Sequence, residues 1–161
     1  MTRMASSHST PLWHCRPARL EDIVAISRID TLSFPDPWAE REYHEALTTA
    51  YSRLFIVEVV DASEVITVQG FALVSWVIDE MEILRIAIAP EARRSGLGSW
   101  LLEYLKQAIA CVQGTIFLEV RAGNEAALAL YHNAGFVAYR IRPDYYRDHE
   151  NAVLMRWPAE C

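Results

Sequence analysis

Apolar residues along this chain keep two rhythms, and each change of rhythm marks an element. Leu12 to Arg16 reads as a short first strand. From Ala18 to Leu32 the spacing is helical: Leu20, Ile23, Val24 and Ile29 share a face, leaving Arg19, Glu21, Asp22 and Arg28 for solvent. Phe34-Pro35-Asp36-Pro37-Trp38 stops that helix, because prolines remove amide donors and clash with the preceding turn. A second helix is expected from Ala39 to Ala50, with Tyr43, Ala46, Leu47 and Ala50 on one side. Arg53 to Val60 is β-branched and aromatic, Val65 to Ile78 is a longer strand with Gly70 as a candidate bulge, and Glu82 to Ala89 runs back. In that last run Glu82, Leu84, Ile86 and Ile88 alternate with Ile83, Arg85, Ala87 and Ala89.

The helical rhythm returns most clearly after Gly98. Leu97, Trp100, Leu101, Tyr104, Leu105, Ala108, Ile109 and Val112 form one stripe; Ser99, Glu103, Lys106 and Gln107 face away; Gly114 ends the helix. Thr115 to Arg121 is a strand. Asn124 is a suitable N-cap for a helix from Glu125 to Ala134, which Gly135 ends. Phe136 to Arg142 and Ala152 to Trp157 make a final strand pair around the polar loop Pro143 to Asn151. The strand-helix-strand unit in the middle requires a parallel pair, whereas the short turns on either side give antiparallel ones. The expected fold is mixed α/β (α+β): a mostly antiparallel sheet of about seven strands with helices on both faces, in one domain spanning residues 1–161, with a loose N-terminal extension over residues 1–12.

Composition narrows the function classes. With 15 basic and 21 acidic residues, the net charge of −6 argues against direct nucleic-acid binding and fits a cationic second substrate. The three cysteines, Cys15, Cys111 and Cys161, show no metal or disulfide spacing, and the five histidines form no metal motif, so no metal is expected. No apolar run is long enough to span a membrane, and the first ten residues lack the apolar core of a secretory signal. A cytoplasmic protein is expected.

The chemistry-bearing stretch is Leu84 to Trp100. Arg93-Arg94-Ser95-Gly96-Leu97-Gly98 joins a strand to a helix start. The first helical turn has free amides and a partial positive charge, glycines let the backbone come close, and arginines add charged donors, so an anion suits this place. A tight connection with no ligand is the plainer alternative. The turn lacks the Lys-Ser/Thr of a P-loop and the third spaced glycine of a dinucleotide fingerprint.

Arg93-x-x-Gly96-x-Gly98, after Ile-Ala-Ile-Ala-Pro and before an amphipathic helix, resembles the acetyl-coenzyme A motif of the GNAT acetyltransferases. Further on, Leu118-Glu119-Val120-Arg121-Ala122-Gly123-Asn124, Ala-Leu-Tyr131 and Gly135-Phe136 are similar to the bacterial ribosomal-protein alanine N-acetyltransferase (RimI-like) branch. Phe34-Pro35 with Trp38, Asp144-Tyr145-Tyr146 and Asn-Ala-Val-Leu-Met155 match that branch too. The resemblance implies a GNAT fold with a splayed parallel strand pair, and acetyl-CoA as cosubstrate. Its pyrophosphate would rest on Arg93, Arg94, Ser95, Gly96, Leu97, Gly98 and Ser99, and its pantetheine arm would run along Ile86, Ala87 and Ile88. It further implies Glu119 as general base, Tyr131 as general acid and Asn124 as a cofactor contact. The implied acceptor is the N-terminal alanine of a small-subunit ribosomal protein, whose basic tail suits an acidic enzyme.

The spacing is physically consistent with those roles. An extended chain from Glu119 to Asn124 climbs roughly 13–16 Å, and a helix from Asn124 to Tyr131 covers about 10 Å, so a helix folding back returns Tyr131 to the level of Glu119. Without the resemblance, Glu119 reads as a solvent-facing strand residue and Tyr131 as a core residue. Phe34, Trp38, Tyr145 and Tyr146 suit either packing or an acceptor groove. Two other functions stay open: the same transfer to a small amine or lysine, and a non-catalytic acyl-CoA-binding module.

Overall fold

The computed structural model describes residues 12–158. The expected N-terminal extension falls, Leu12 apart, outside the described residues. The elements run β1 (Leu12–Pro17), α1 (Ile23–Ser33), α2 (Glu40–Thr48), β2 (Ser52–Val60), β3 (Ile66–Val77), β4 (Glu80–Ile88), α3 (Leu97–Ala110), β5 (Thr115–Arg121), α4 (Glu125–Asn133), β6 (Val137–Arg142) and β7 (Ala152–Trp157). All seven strands form one sheet in the order β1-β2-β3-β4-β5-β7-β6. The β4–β5 pair is parallel and the other pairs are antiparallel, as the crossover through α3 requires.

Each face of the sheet has its own core. On one, Leu97, Leu101, Leu102, Leu105 and Ile109 of α3, with Tyr131 of α4, cover Phe55, Val57, Met81, Ile83, Leu118 and Val120. On the other, Ile23, Ile26 and Ile29 of α1 and Tyr43 and Ala46 of α2 cover Leu54, Ile56, Phe71, Leu73 and Ala87. Each fully buried large side chain contributes about 1.5–3 kcal/mol.

Several elements differ in detail from the sequence pattern. A 3-10 turn, Leu20–Asp22, precedes α1, which leaves Leu20 and Val24 exposed while Ile26 takes the core position. Asp22 is buried rather than solvated, because Arg16 grips it with two hydrogen bonds of 2.8 and 3.0 Å. The second helix ends at Thr48, and Ala50 is exposed. In α3, Leu102 joins the core and Val112 does not. Lys106 turns inward, donating to the Ala134 carbonyl beside the Trp157 ring. The irregularity in β3 lies at Gln69, next to Gly70; a Cβ at Gly70 would meet Ile88 Cδ1 at 2.7 Å and the Ala87 carbonyl at 3.1 Å, so the Ile88 side chain would have to shift.

The correction that matters most is in β4. Val74 pairs with Ile83 and Leu73 with Arg85, so Leu84 is an extra, bulged residue. A bulge resets the two-residue alternation. Met81 and Ile83 therefore face α3, whereas Ala87 faces α1 and α2 along with Arg85, whose guanidinium reaches Asp30 of α1.

Candidate active site

β4 and β5 are hydrogen-bonded only from Glu80–Ile83 to Thr115–Leu118. Beyond that point each keeps only its outer partner: β3 follows β4 to Ile88, and β7 follows β5 to Arg121. The bulge at Leu84 sits where the pair parts, and a bulge bends and overtwists its strand. The result is an opening in the middle of the sheet with unpaired main-chain groups along the far half of β4. A cavity of about 490 Å³ fills it.

Glu119 is the first β5 residue past the last β4 partner. Its alternation with Leu118 and Val120, both in the α3 core, sends its side chain to the opposite face. Tyr131 comes from α4. Asn124 caps that helix, its side-chain oxygen accepting the Ala127 amide at 3.1 Å, and the helix folds back along β5. Glu119, Tyr131 and Asn124 all line the cavity. Burial pushes the Tyr131 phenol well above its ordinary value, so it stays protonated at neutral pH.

Two groups flank Glu119: Arg142, which the sequence did not flag, and Tyr145, which it did. Arg142, at the end of β6, donates to its carboxylate at 2.5 Å. The same carboxylate lies close enough to Tyr145 to push its phenol up, and the Arg142 guanidinium lies 5.4 Å from the Tyr145 ring. Tyr146 lies under Arg121, whose guanidinium is 3.9 Å from the ring centre. Arg121 also binds Asp148 and Glu150, and Glu150 accepts the Gly123 amide at 2.6 Å. This clasp ties the loop 143–151 to the end of β5 and sets both tyrosines on the cavity wall.

The opposite wall is the proline-rich joint between α1 and α2. Phe34 and Trp38 lie over Arg85, with the guanidinium 3.9 and 5.1 Å from their ring centres. Asp30, fully buried, accepts from Arg85 and from the Trp38 amide. Packing and a substrate-groove wall were alternatives in the sequence; the rings pack on Arg85, and Phe34 and Trp38 also line the cavity.

The glycine turn lies past the end of the unpaired β4 edge, outside the cavity lining. Gly96 has φ +91°, a conformation that favours glycine, and it starts α3. Ser95 closes the turn onto the Ala92 carbonyl at 2.7 Å. Arg93 is engaged within the chain, donating to the Ile88 carbonyl at 3.0 Å and to Ser33 at 2.9 Å, whereas Arg94 is exposed. Ile86 lines the cavity; the Ala87 side chain is turned to the α1 face, so it offers only backbone here.

Glu82, on the rim, completes the carboxylates. Burial and the nearby Glu119 push it up, and Arg142 acts in the other direction. Among the described residues no group of three or more His, Cys, Asp or Glu is arranged to hold a metal.

Residues 23–136 match the profile of the Acetyltransferase (GNAT) family. The chain belongs to the GNAT acetyltransferases. It is 34% identical over 142 residues to the [ribosomal protein bS18]-alanine N-acetyltransferase of Salmonella typhimurium, covering 85% of this chain and 91% of that one. An N-alpha-acetyltransferase of Saccharolobus solfataricus is 31% identical over 153 residues, covering 89% and 91% of the two chains. The crystal structure of the ribosomal-protein-S18-alanine N-acetyltransferase from Escherichia coli superposes with a TM-score of 0.80 at 30% identity, over 93% of this chain and 96% of that one. This GNAT protein is thus an acetyl-CoA-dependent N-acetyltransferase, and no helix among its described residues is long and apolar enough to cross a membrane.

Proposed function

We propose that this GNAT enzyme acetylates the N-terminal α-amine of a protein, with the N-terminal alanine of a ribosomal protein of the S18 type as acceptor. The observation that carries the chemistry is the convergence of Glu119 and Tyr131 on one cavity where β4 and β5 part. The acceptor assignment is supported by identity across most of the chain to enzymes named for that alanine.

Acetyl-CoA supplies the acetyl thioester. The residues present suit it: an unpaired β4 edge from Arg85 to Ile88 offers main-chain partners to an amide-bearing arm, and the first-turn amides of α3, with Arg94 beside them, suit a pyrophosphate. Gly96, Gly98 and Ser99 keep that turn close and small. Arg93 serves by stapling the turn to β4 and α1.

An α-amine has a pKa of about 8 and is mostly protonated at neutral pH, so it must lose a proton before it attacks. Glu119 takes that proton, directly or through one water. The amine nitrogen then bonds to the acetyl carbon as the carbon–sulfur bond breaks. Tyr131, a buried phenol, gives its proton to the departing sulfur, and the second proton shed by the new amide nitrogen restores the phenol, while the proton taken by Glu119 passes to solvent. No covalent enzyme intermediate is needed. Phe34, Trp38, Tyr145 and Tyr146 form the two walls between which the acceptor lies.

Mass spectrometry of synthetic peptides incubated with acetyl-CoA tests the proposal. Acetylation at the α-amine of alanine-starting peptides is expected. Modification confined to lysine side chains or to free polyamines would move the acceptor elsewhere, leaving the transfer chemistry intact.

A further inference from the structure

The α1–α2 face of the sheet is only half covered. Both helices sit over β2, β3 and the far half of β4, while the near half of β4 and the β5–β7–β6 end have no helix above them. A second cavity of about 270 Å³ lies on that uncovered part. It shares Glu82, Leu118 and Glu119 with the larger cavity, so the two meet at the reaction centre.

Its walls are of two kinds. Phe117 and Tyr139, edge to face with centres 6.1 Å apart, form an apolar side with Leu154. Glu80 and Glu82 form an acidic side, and neither carboxylate makes a side-chain hydrogen bond or ion pair with another described residue. The one cation in the lining, Arg142, is already held by Glu119. The site thus offers an apolar slot ending in two carboxylates that no cation pairs directly, Arg142 acting on Glu82 only at a distance. A neutral or acidic side chain gains nothing from that end; a long aliphatic stem with a cationic head matches both walls.

We propose that this second cavity receives the side chain of the acceptor's second residue and selects arginine or lysine there, through Glu80 and Glu82. The inference rests on the N-terminal acceptor proposed above. With the α-amine at Glu119, the next residue lies about 3.8 Å further along the acceptor backbone, which sets its side chain over the shared wall. Stem methylenes lie against Phe117 and Tyr139, and the charged head meets the two carboxylates. A residue at the third position of an extended peptide points the other way.

Steady-state acetylation of hexapeptides Ala-Xaa-Ala-Ala-Ala-Ser by the full-length enzyme, with Xaa arginine, alanine or glutamate, tests the inference. Arginine is expected to exceed alanine at least tenfold in kcat/KM, chiefly through KM, and glutamate is expected to be poorest. Glu80→Gln should shrink the arginine-to-alanine ratio severalfold, and Glu80→Lys should lift the glutamate peptide above the arginine one. Equal kcat/KM for all three peptides, or a preference that appears only when arginine is moved to the third position, overturns the subsite and leaves N-terminal acetylation standing. No turnover of any alanine-starting peptide overturns the acceptor assignment, and the subsite with it.

Discussion

Arg85–Asp30 and Arg142–Glu119 are the same chemical pair at the same separation, 2.5 Å, on the same face of the sheet. Their surroundings differ. Arg85 and Asp30 are 9% and 0% exposed and lie under the Phe34–Trp38 joint, with every remaining contact supplied by the chain. Arg142 and Glu119 are 42% and 22% exposed at the rim of the cavity. A buried pair cannot lose one member without stranding the other charge, whereas a half-open pair can separate into water. The first pair therefore fixes a wall of the groove, and the second leaves a carboxylate that is able to change partners when an ammonium arrives.

The largest expected effect comes from breaking the buried pair. Arg85→Ala strands Asp30 and should cost about 3–5 kcal/mol in urea-denaturation stability; a loss under about 1 kcal/mol would erase the distinction. Next, Glu119→Gln should lower kcat/KM at neutral pH by about a hundredfold or more while leaving the urea midpoint nearly unchanged. Full activity in that variant would remove the base assignment from Glu119.

A third cluster sharpens the comparison because it lies between the two in burial. Arg16 bridges Asp22 and Glu58, the Arg16–Asp22 pair being 19% and 6% exposed. Burial alone would raise both carboxyls; the Arg16 hydrogen bonds outweigh it and hold both below the usual carboxylate range. Depressed carboxyls mean that the unfolded chain binds protons first as pH falls. This contribution to stability is complete above about pH 5 and is lost as pH drops through the folded values. Urea midpoints between pH 6 and pH 3 should show that fall, and Arg16→Met should flatten it. The smallest effect belongs to the open pair: Arg142→Ala should change stability by no more than about 1 kcal/mol. A loss as large as that of Arg85→Ala would place both pairs in one class.

The strands β5 and β7 were legible to the residue, because regular alternation and a flanking glycine or asparagine bound them. The seven-stranded mixed sheet followed from element order alone. The missed positions share a cause. Asp22 looks like a solvent-side acid within its helix, yet Arg16 of the neighbouring strand β1 holds it; Asp30, on which the sequence made no reading, is matched to Arg85 on β4, a pairing that no local window contains. Asp30 did leave a trace: it stands one turn after Ile26, on the stripe that is buried. The β4 bulge left none, since an inserted residue looks like any other until the partner strand is known. At the site, Glu119 and Tyr131 were reached through family resemblance and meet on one cavity. Arg142 was out of reach because its place opposite Ala152 depends on a third irregularity, at Tyr139, in the β6–β7 pairing.

Leu84 itself is 41% exposed and packs into neither core. Its importance is arithmetic. Left out of the pairing, it lets Ile83 face α3 and Arg85 face Asp30; paired regularly with β3, it would make every later β4 residue swap sides, sending a guanidinium into the leucine layer of α3 and isoleucines under the Asp30 carboxylate. Deleting Leu84 would leave Ile83 and Arg85 as neighbours on opposite faces, so the later side chains would keep their sides; what would be lost is the bend at the point where β4 and β5 part.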